Sequence, residues 1–140
     1  MKCKDIMTRD PVCCVPGEFV TAAAEIMKND DVGSVPVIDD LESKHLAGIV
    51  TDRDLALEVV AAGKDPRSVT VGEVMKSAVV TCKPTDDVTI AISKMADQQV
   101  RRIPVVDKDG SIIGIIAQSD VATRLEAPEA TAAMVEEISR

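Results

Sequence analysis

The feature that most limits how this chain can fold is a stretch that occurs twice, as Gly48-Ile49-Val50-Thr51-Asp52-Arg53-Asp54-Leu55 and as Gly114-Ile115-Ile116-Ala117-Gln118-Ser119-Asp120-Val121. In each copy an apolar run of strand character ends in polar residues and passes into a helical pattern, which sets a carboxylate on the first turn of a helix. The match extends backwards. At a constant offset of 68 residues Met7 falls on Met75, Cys14 on Cys82, Pro16 on Pro84, Met27 on Met95, Pro36-Val37 on Pro104-Val105 and Asp39 on Asp107. From Gly48 the offset is 66, because the Asp40 to His45 loop is two residues longer in the first copy. The chain is an internal duplication.

With 140 residues and 46% hydrophobic content the chain can form one compact unit. A half of about 60 residues would bury too little surface to be secure alone, so the halves are expected to share a core. There is one Phe and no Tyr or Trp, so a flat ligand would rest on aliphatic side chains and backbone instead of stacked rings. The net charge of -8 argues against a nucleic-acid partner, and a small anion would need a locally positive pocket. No stretch has the length and apolarity of a secretory signal or a membrane span, so a cytoplasmic protein without a membrane partner is expected. Cys3, Cys13, Cys14 and Cys82 lack the spacing of a zinc site, and structural disulfides are not expected in that compartment. Cys14 and Cys82, in equivalent places before the shared prolines, read as small core residues. The alternative is a thiol switch acting through Cys13-Cys14, with Cys3 or Cys82 as partners.

Val12 to Val15 reads as a short strand closed by Pro16-Gly17. Val20, Ala23, Ala24 and Met27 then fall on one helical stripe running to about Asp30. Val35 to Ile38 and Leu46 to Thr51 read as strands, and Asp52 to Ala62 as a helix with Leu55, Ala56, Val59 and Val60 inward and Gly63 as its stop. Lys64-Asp65-Pro66-Arg67-Ser68 is too short and polar to be an element. The second copy repeats the order, with a helix on Val88, Ala91, Ile92 and Met95, strands at Ile103 to Val106 and Ile112 to Ala117, and a closing helix from about Ser119. Ala130, Ala133, Met134 and Ile138 give the tail an amphipathic helical spacing. The expected organisation is a first repeat over residues 1–62, a linker over 63–70, a second repeat over 71–127 and a C-terminal helix over 128–140.

The D-I-M-T-x-x-P-V start, the V-G-S-V-P-V-I-D strand and the G-I-V-T-D-R-D-L turn resemble a cystathionine-β-synthase (CBS) domain. Val74-Met75, Val100 to Asp107 and Gly114 to Val121 resemble a second, and the pair is similar to a Bateman module. The resemblance implies an α/β fold of the α+β kind, in which two β-α-β-β-α repeats pack about a pseudo-twofold axis. It also implies an adenosyl ligand (AMP, ADP, ATP or S-adenosylmethionine) in clefts between the repeats, homodimerisation, and regulation of an effector protein. In the family pattern the carboxylate after the Gly-apolar-apolar-Thr/Ser turn binds the ribose diol and the hydroxyl contacts ribose or phosphate. Thr51 and Asp54 fit that pattern; Ser119 and Asp120 carry it in the second copy, where Ala117 lacks the hydroxyl. A carboxylate offers two acceptors to two adjacent hydroxyls, and helix N-terminal N–H groups attract phosphate.

Plainer readings compete. Thr51 to Asp54 is also a capping-box pattern. Arg101 and Arg102 should point to opposite sides of a strand, so one could hold a phosphate chain, or either could form an ordinary surface ion pair. The first copy has Gly33-Ser34 there. His45 reads as a solvated loop residue. Asp30-Asp31, Asp39-Asp40 and Asp86-Asp87 could bind Mg2+ through ATP, although helix-end and turn solvation accounts for them, and no protein metal site is expected. Nucleophile, base and orienting group do not converge in the sequence, so no catalytic residue is assigned and a non-enzymatic module is expected. Without a fused effector its output would be a partner, a change of assembly or ligand buffering. A structural or interaction scaffold with vestigial clefts is the alternative. Apolar positions from Leu55 to Val60 and Val121 to Leu125 would suit a dimer contact.

Overall fold

The computed structural model describes residues 1–124, and the chain opens on a short helix, α1 (Cys3–Ile6), and a two-residue strand, β1 (Thr8–Arg9). Next come α2 (Val20–Asp30), β2 (Ser34–Ile38), β3 (Leu46–Thr51) and α3 (Asp52–Leu55), which runs on as a π-helical turn over Ala56–Val60. The second copy gives α4 (Val71–Val74), α5 (Val88–Gln98), β4 (Arg102–Val106), β5 (Ile112–Ala117) and α6 (Gln118–Arg124). The expected tail helix and Leu125 lie outside the described residues.

The duplication is visible in the backbone. α2 and α5 are 11 residues each, and both stop on a left-handed residue, Asp31 at φ 53° and Gln99 at φ 55°. Such a residue turns its N–H back onto the last helical carbonyls and ends the helix. Val20 and Ala23 are buried on α2, as Val88, Ala91 and Met95 are on α5. Ala24, expected inward, is exposed; Met27 packs on the core as expected, joined by Ile26. The small Ala gains least from burial, so the larger side chains fix the helix rotation.

Two compact units form, and neither coincides with a sequence repeat. One comprises Val12–Val79; the other comprises Met1–Pro11 together with the described residues from Val80 onward. In the first, β2 and β3 form an antiparallel pair, and the lead segment of the second copy returns to β3 through two hydrogen bonds of 2.9 Å between Ile49 and Lys76. In the second unit the order is β1-β5-β4, with Thr8 opposite Ile115 and Arg9 opposite Gly114. Each unit is thus completed by the lead segment of the other copy. Lys76 and Thr8, equivalent by offset, sit at equivalent places on β3 and β5.

The expectation of one shared core is corrected accordingly. One cluster, around Cys14, Val35, Val37, Val50 and Val71, lies within Val12–Val79. Another, around Cys3, Ile6, Cys82, Met95, Ile103 and Ile116, lies in the other unit. Exchange of lead segments supplies the missing apolar surface that chain length alone assigned to a common core. The expected Val12 to Val15 strand shrinks to one parallel bridge, Cys14 to Val37, matched by Cys82 to Val105. The flanking residues turn away because Pro16, with no N–H, cannot continue the ladder.

The helix after β3 also departs from expectation. Its π-turn, in which the Ala61 N–H reaches the Ala56 carbonyl, inserts one residue into the helical repeat and rotates the following face. Val59 is buried and Leu55 half-buried, whereas Ala56 and Val60, expected inward, are exposed.

Close backbone approach defines Gly48. A Cβ there would stand 2.6 Å from the Lys76 carbonyl oxygen and 2.9 Å from the Met75 sulfur. The carbonyl cannot yield without breaking the Ile49–Lys76 pair, so Gly48→Ala should destabilise the fold by about 1–3 kcal/mol in urea titration. Gly17→Ala, where a Cβ meets nothing within 4 Å, should stay within about 0.5 kcal/mol of the parent. Equal midpoints for the two variants would refute this account of the lead-segment contact.

Candidate functional site

β3 pairs with β2 so that Ser34 faces Thr51, and at Thr51 the chain leaves the sheet in extended geometry and enters α3. Both halves of the capping box form. Thr51 Oγ1 accepts from the Asp54 N–H at 3.1 Å, and Asp54 Oδ2 accepts from the Thr51 N–H at 2.9 Å. Reciprocal capping satisfies donors that a helix start otherwise leaves open, and here it also fixes the Asp54 rotamer. The residue is only 5% exposed.

Its second oxygen, Oδ1, lies 3.6 Å from the Lys76 Nζ. Lys76 is placed there by its backbone bonds to Ile49, while its side chain stays 69% exposed. Water screens such a pair heavily, so it adds little to stability. Its consequence is chemical: Oδ2 is committed to the backbone, whereas Oδ1 faces a partner that can leave.

Ser34 adds a third polar group. In-register neighbours on antiparallel strands project from one face, so Ser34 stands beside Thr51. Its Oγ is buried without a hydrogen-bond partner. A buried hydroxyl in that state is destabilising by about 1–3 kcal/mol, and a polar ligand would relieve it.

The second copy builds the same turn from different residues. Arg102 faces Ala117 across β4 and β5, and the Ala117 N–H donates to Asp120 Oδ2 at 2.8 Å. Ala117 has no hydroxyl, so only one half of the box forms. Asp120 is half-buried, Ser119 exposed, Arg102 half-buried and Arg101 exposed. Neither arginine has a carboxylate partner among the described residues.

Superimposing the copies by their offset reveals an exchange. Around Asp54 the lead segment supplies a cation, Lys76, and the facing strand a hydroxyl, Ser34. In the second copy the lead segment sets Thr8 opposite Ile115, and the facing strand sets Arg102 opposite Ala117. Thr51 with Asp54, and Arg102 with the Asp120 turn, were named from sequence. Lys76 and Ser34 were not, and the only signal that could have found them was their alignment, by offset, with Thr8 and Arg102. Among the described residues no group of three or more His, Cys, Asp or Glu is clustered to hold a metal, and no helix is long and apolar enough to cross a membrane.

The family model described as CBS domain matches residues 3–61 and again 71–127. The CBS domain-containing protein YhcV of Bacillus subtilis is 35% identical over 136 residues, spanning 97% of this chain and 94% of that protein. Hypoxic Response Protein I, solved with two coordinated zinc ions, is similar at a TM-score of 0.80 and 32% identity, covering 89% of this chain and 99% of that one. The CBS domain pair of protein MJ0100, solved with 5′-methylthioadenosine and S-adenosyl-L-methionine, is similar at a TM-score of 0.77 and 27% identity, covering 88% of this chain and 94% of that one.

The geometry separates capping from spare polarity. Thr51→Ala should destabilise the fold by about 0.5–2 kcal/mol through loss of the cap. Ser34→Ala should be neutral or slightly stabilising, because it removes an unsatisfied group. Denaturation midpoints that reverse this order would show that Ser34, and not the cap, holds the turn.

Proposed function

This chain belongs to the CBS domain family, with two copies in tandem, and on that premise we propose that it is a non-catalytic regulatory module that binds an adenosyl ligand at the Asp54 turn and at its counterpart, Asp120. The observation that carries the reading is the divided role of the Asp54 carboxylate. Oδ2 is locked onto the Thr51 N–H, which aims Oδ1 outward at the readily displaced Lys76. A ribose diol could take Oδ1 and release the ammonium toward a phosphate or a carboxylate. The unpartnered Ser34 hydroxyl offers a further contact on the same face. The complex of a similar CBS pair with methylthioadenosine and S-adenosylmethionine supports the ligand class.

At the Asp120 turn the same chemistry would use Arg102 as the cation, with Arg101 and Ser119 at the exposed margin. A phosphate chain suits the bidentate guanidinium of Arg102, whereas Lys76 offers a point charge. The two positions should therefore differ in preference, the Asp120 turn favouring phosphorylated ligands. Any Mg2+ would arrive with ATP.

The scaffold reading keeps one observation in its favour, since the capping box accounts for Thr51 and Asp54 without a ligand. Leu57, 50% exposed, and Val60, 76% exposed, lie on the turned face after α3 and suit a homodimer contact. Val121, expected there too, is fully buried and unavailable.

Two measurements test these proposals. Protein denatured after purification should release an adenosyl compound identifiable by mass spectrometry, or else calorimetry should detect binding of AMP, ADP, ATP or S-adenosylmethionine. Asp54→Asn keeps an acceptor for the Thr51 N–H but loses the charge, and should weaken binding roughly tenfold or more. Arg102→Ala should discriminate against ATP and AMP more than against S-adenosylmethionine. Neither release nor binding would leave the scaffold reading. Separately, sedimentation should give a dimer at micromolar concentration that Val60→Asp shifts to monomer; a parent that is already monomeric would remove that part.

A further inference from the structure

With Asp54 read as the ribose ligand, we infer that Lys76 is a specificity-determining residue of that turn. It is the resident counter-ion of the carboxylate, and it sets the turn to accept adenosyl ligands that carry their own anion and to disfavour neutral nucleosides.

Asp54 is 5% exposed, and its Oδ2 is committed to the Thr51 N–H at 2.9 Å, so Oδ1 is the acceptor left for a ligand. The Lys76 Nζ stands 3.6 Å from that same atom. A diol that takes Oδ1 therefore competes with the ammonium. The lysine is held by its backbone and not by its head: its N–H and carbonyl are both bonded to Ile49 at 2.9 Å, whereas its side chain is 69% exposed. The head can swing into water while the peptide stays in place.

Lys76 is also an incomplete occupant. Ser34, in register with Thr51, keeps a buried hydroxyl without a hydrogen-bond partner while the lysine is present. Buried hydroxyls are normally satisfied, so the turn is built for a guest with more hydrogen-bonding groups than one ammonium.

The duplication shows that the backbone does not call for a lysine here. At the offset of 68 residues Lys76 falls on Thr8, which lies opposite Ile115 in the equivalent contact. Threonine carries no charge. Asp120, whose Oδ2 accepts from the Ala117 N–H at 2.8 Å, has no ion-pair partner among the described residues. The counter-ion is an addition to the first turn.

Occupation of Oδ1 is thus an exchange. A neutral nucleoside gains the hydrogen bonds of its diol to the carboxylate and loses the attraction between Asp54 and Lys76. A nucleoside phosphate gains the same bonds and offers the released ammonium a second anion. Pairs this exposed are weak, so each effect should be a matter of several-fold in affinity.

Calorimetry with adenosine and AMP, which differ only in the phosphate, tests this on the full chain. An Asp120→Asn background removes the charge of the second turn. There AMP should bind more tightly than adenosine. Lys76→Met keeps the apolar stem and drops the charge; it should tighten adenosine about two- to fivefold and weaken AMP about fivefold. Lys76→Arg, which restores a cation, should retain most of the parent preference. On the unsubstituted chain, raising the salt from about 0.05 M to about 0.5 M should weaken AMP and leave adenosine unchanged or tighter. All variants should melt with the parent, since an exposed pair adds little to stability. Adenosine binding that Lys76→Met leaves unchanged or weakens, or an equal loss for both probes, would overturn the inference while leaving Asp54 a ribose ligand. Binding of neither probe, before any substitution at Lys76, would remove the ribose reading itself and the inference with it.

Discussion

Everything in this structure depends on the backbone contact between a lead segment and the strand that ends in the carboxylate turn. Lys76 exchanges two hydrogen bonds with Ile49, and Thr8 lies opposite Ile115 in the equivalent place. Both contacts need a glycine beside them, Gly48 or Gly114, because a side chain would collide with backbone oxygen and with the methionine, Met75 or Met7, that covers the strand. The exchange makes one unit discontinuous in sequence, Met1–Pro11 joining the chain after Val80, and shifts the other, Val12–Val79, off the repeat boundary. A single copy would lack the segment that completes its sheet edge and would leave apolar surface of its core open, which is the physical reason that the copies come as a pair.

Periodicity alone made much of this fold legible. α2 and α5 appear where Val20 and Val88 begin apolar stripes, and β2 to β5 fall within a residue of the alternating runs. What failed did so for identifiable reasons. Ala24, Ala56 and Val60 were placed inward by residue type, but an alanine weighs little in fixing a helix face, and the π-turn after α3 moves the face by an amount that a regular repeat cannot anticipate. The destination of the lead segments was also hidden. Repetition marks where a copy starts, but an apolar segment such as Ile6-Met7 carries no sign of which strand it will pair with.

The candidate site divides along the same line. Asp54 and Asp120 were visible because they sit at fixed offsets from a glycine in one continuous stretch. Lys76 and Ser34 reach that stretch only through pairing register, from 22 residues after Asp54 and 20 before it. Cation and hydroxyl exchange places between lead segment and facing strand, Lys76 and Ser34 in one copy against Thr8 and Arg102 in the other. In a chain of net charge -8 the two cations are the local positive groups that the sequence required for any anionic ligand. Arg102 offers a planar fork and Lys76 a flexible point charge, so the two copies differ in the cation each carries while sharing the backbone that positions it.

Lys76 also links the site to the rest of the chain. It lies in the lead segment of the second copy, near the end of Val12–Val79, and its ammonium rests on Asp54 while its peptide rests on Ile49. A ligand that takes Oδ1 must remove the first of these anchors and leave the second. The segment then carries a free cation close to the point where it passes to the next unit, and a ligand whose own anion recaptures that cation leaves it in a different state from one that does not. Ligands shift an equilibrium only through interactions that differ between states. Under the proposed reading Lys76 would supply such a difference with one side chain, while the cap formed by Thr51 and Oδ2 would keep the turn in place.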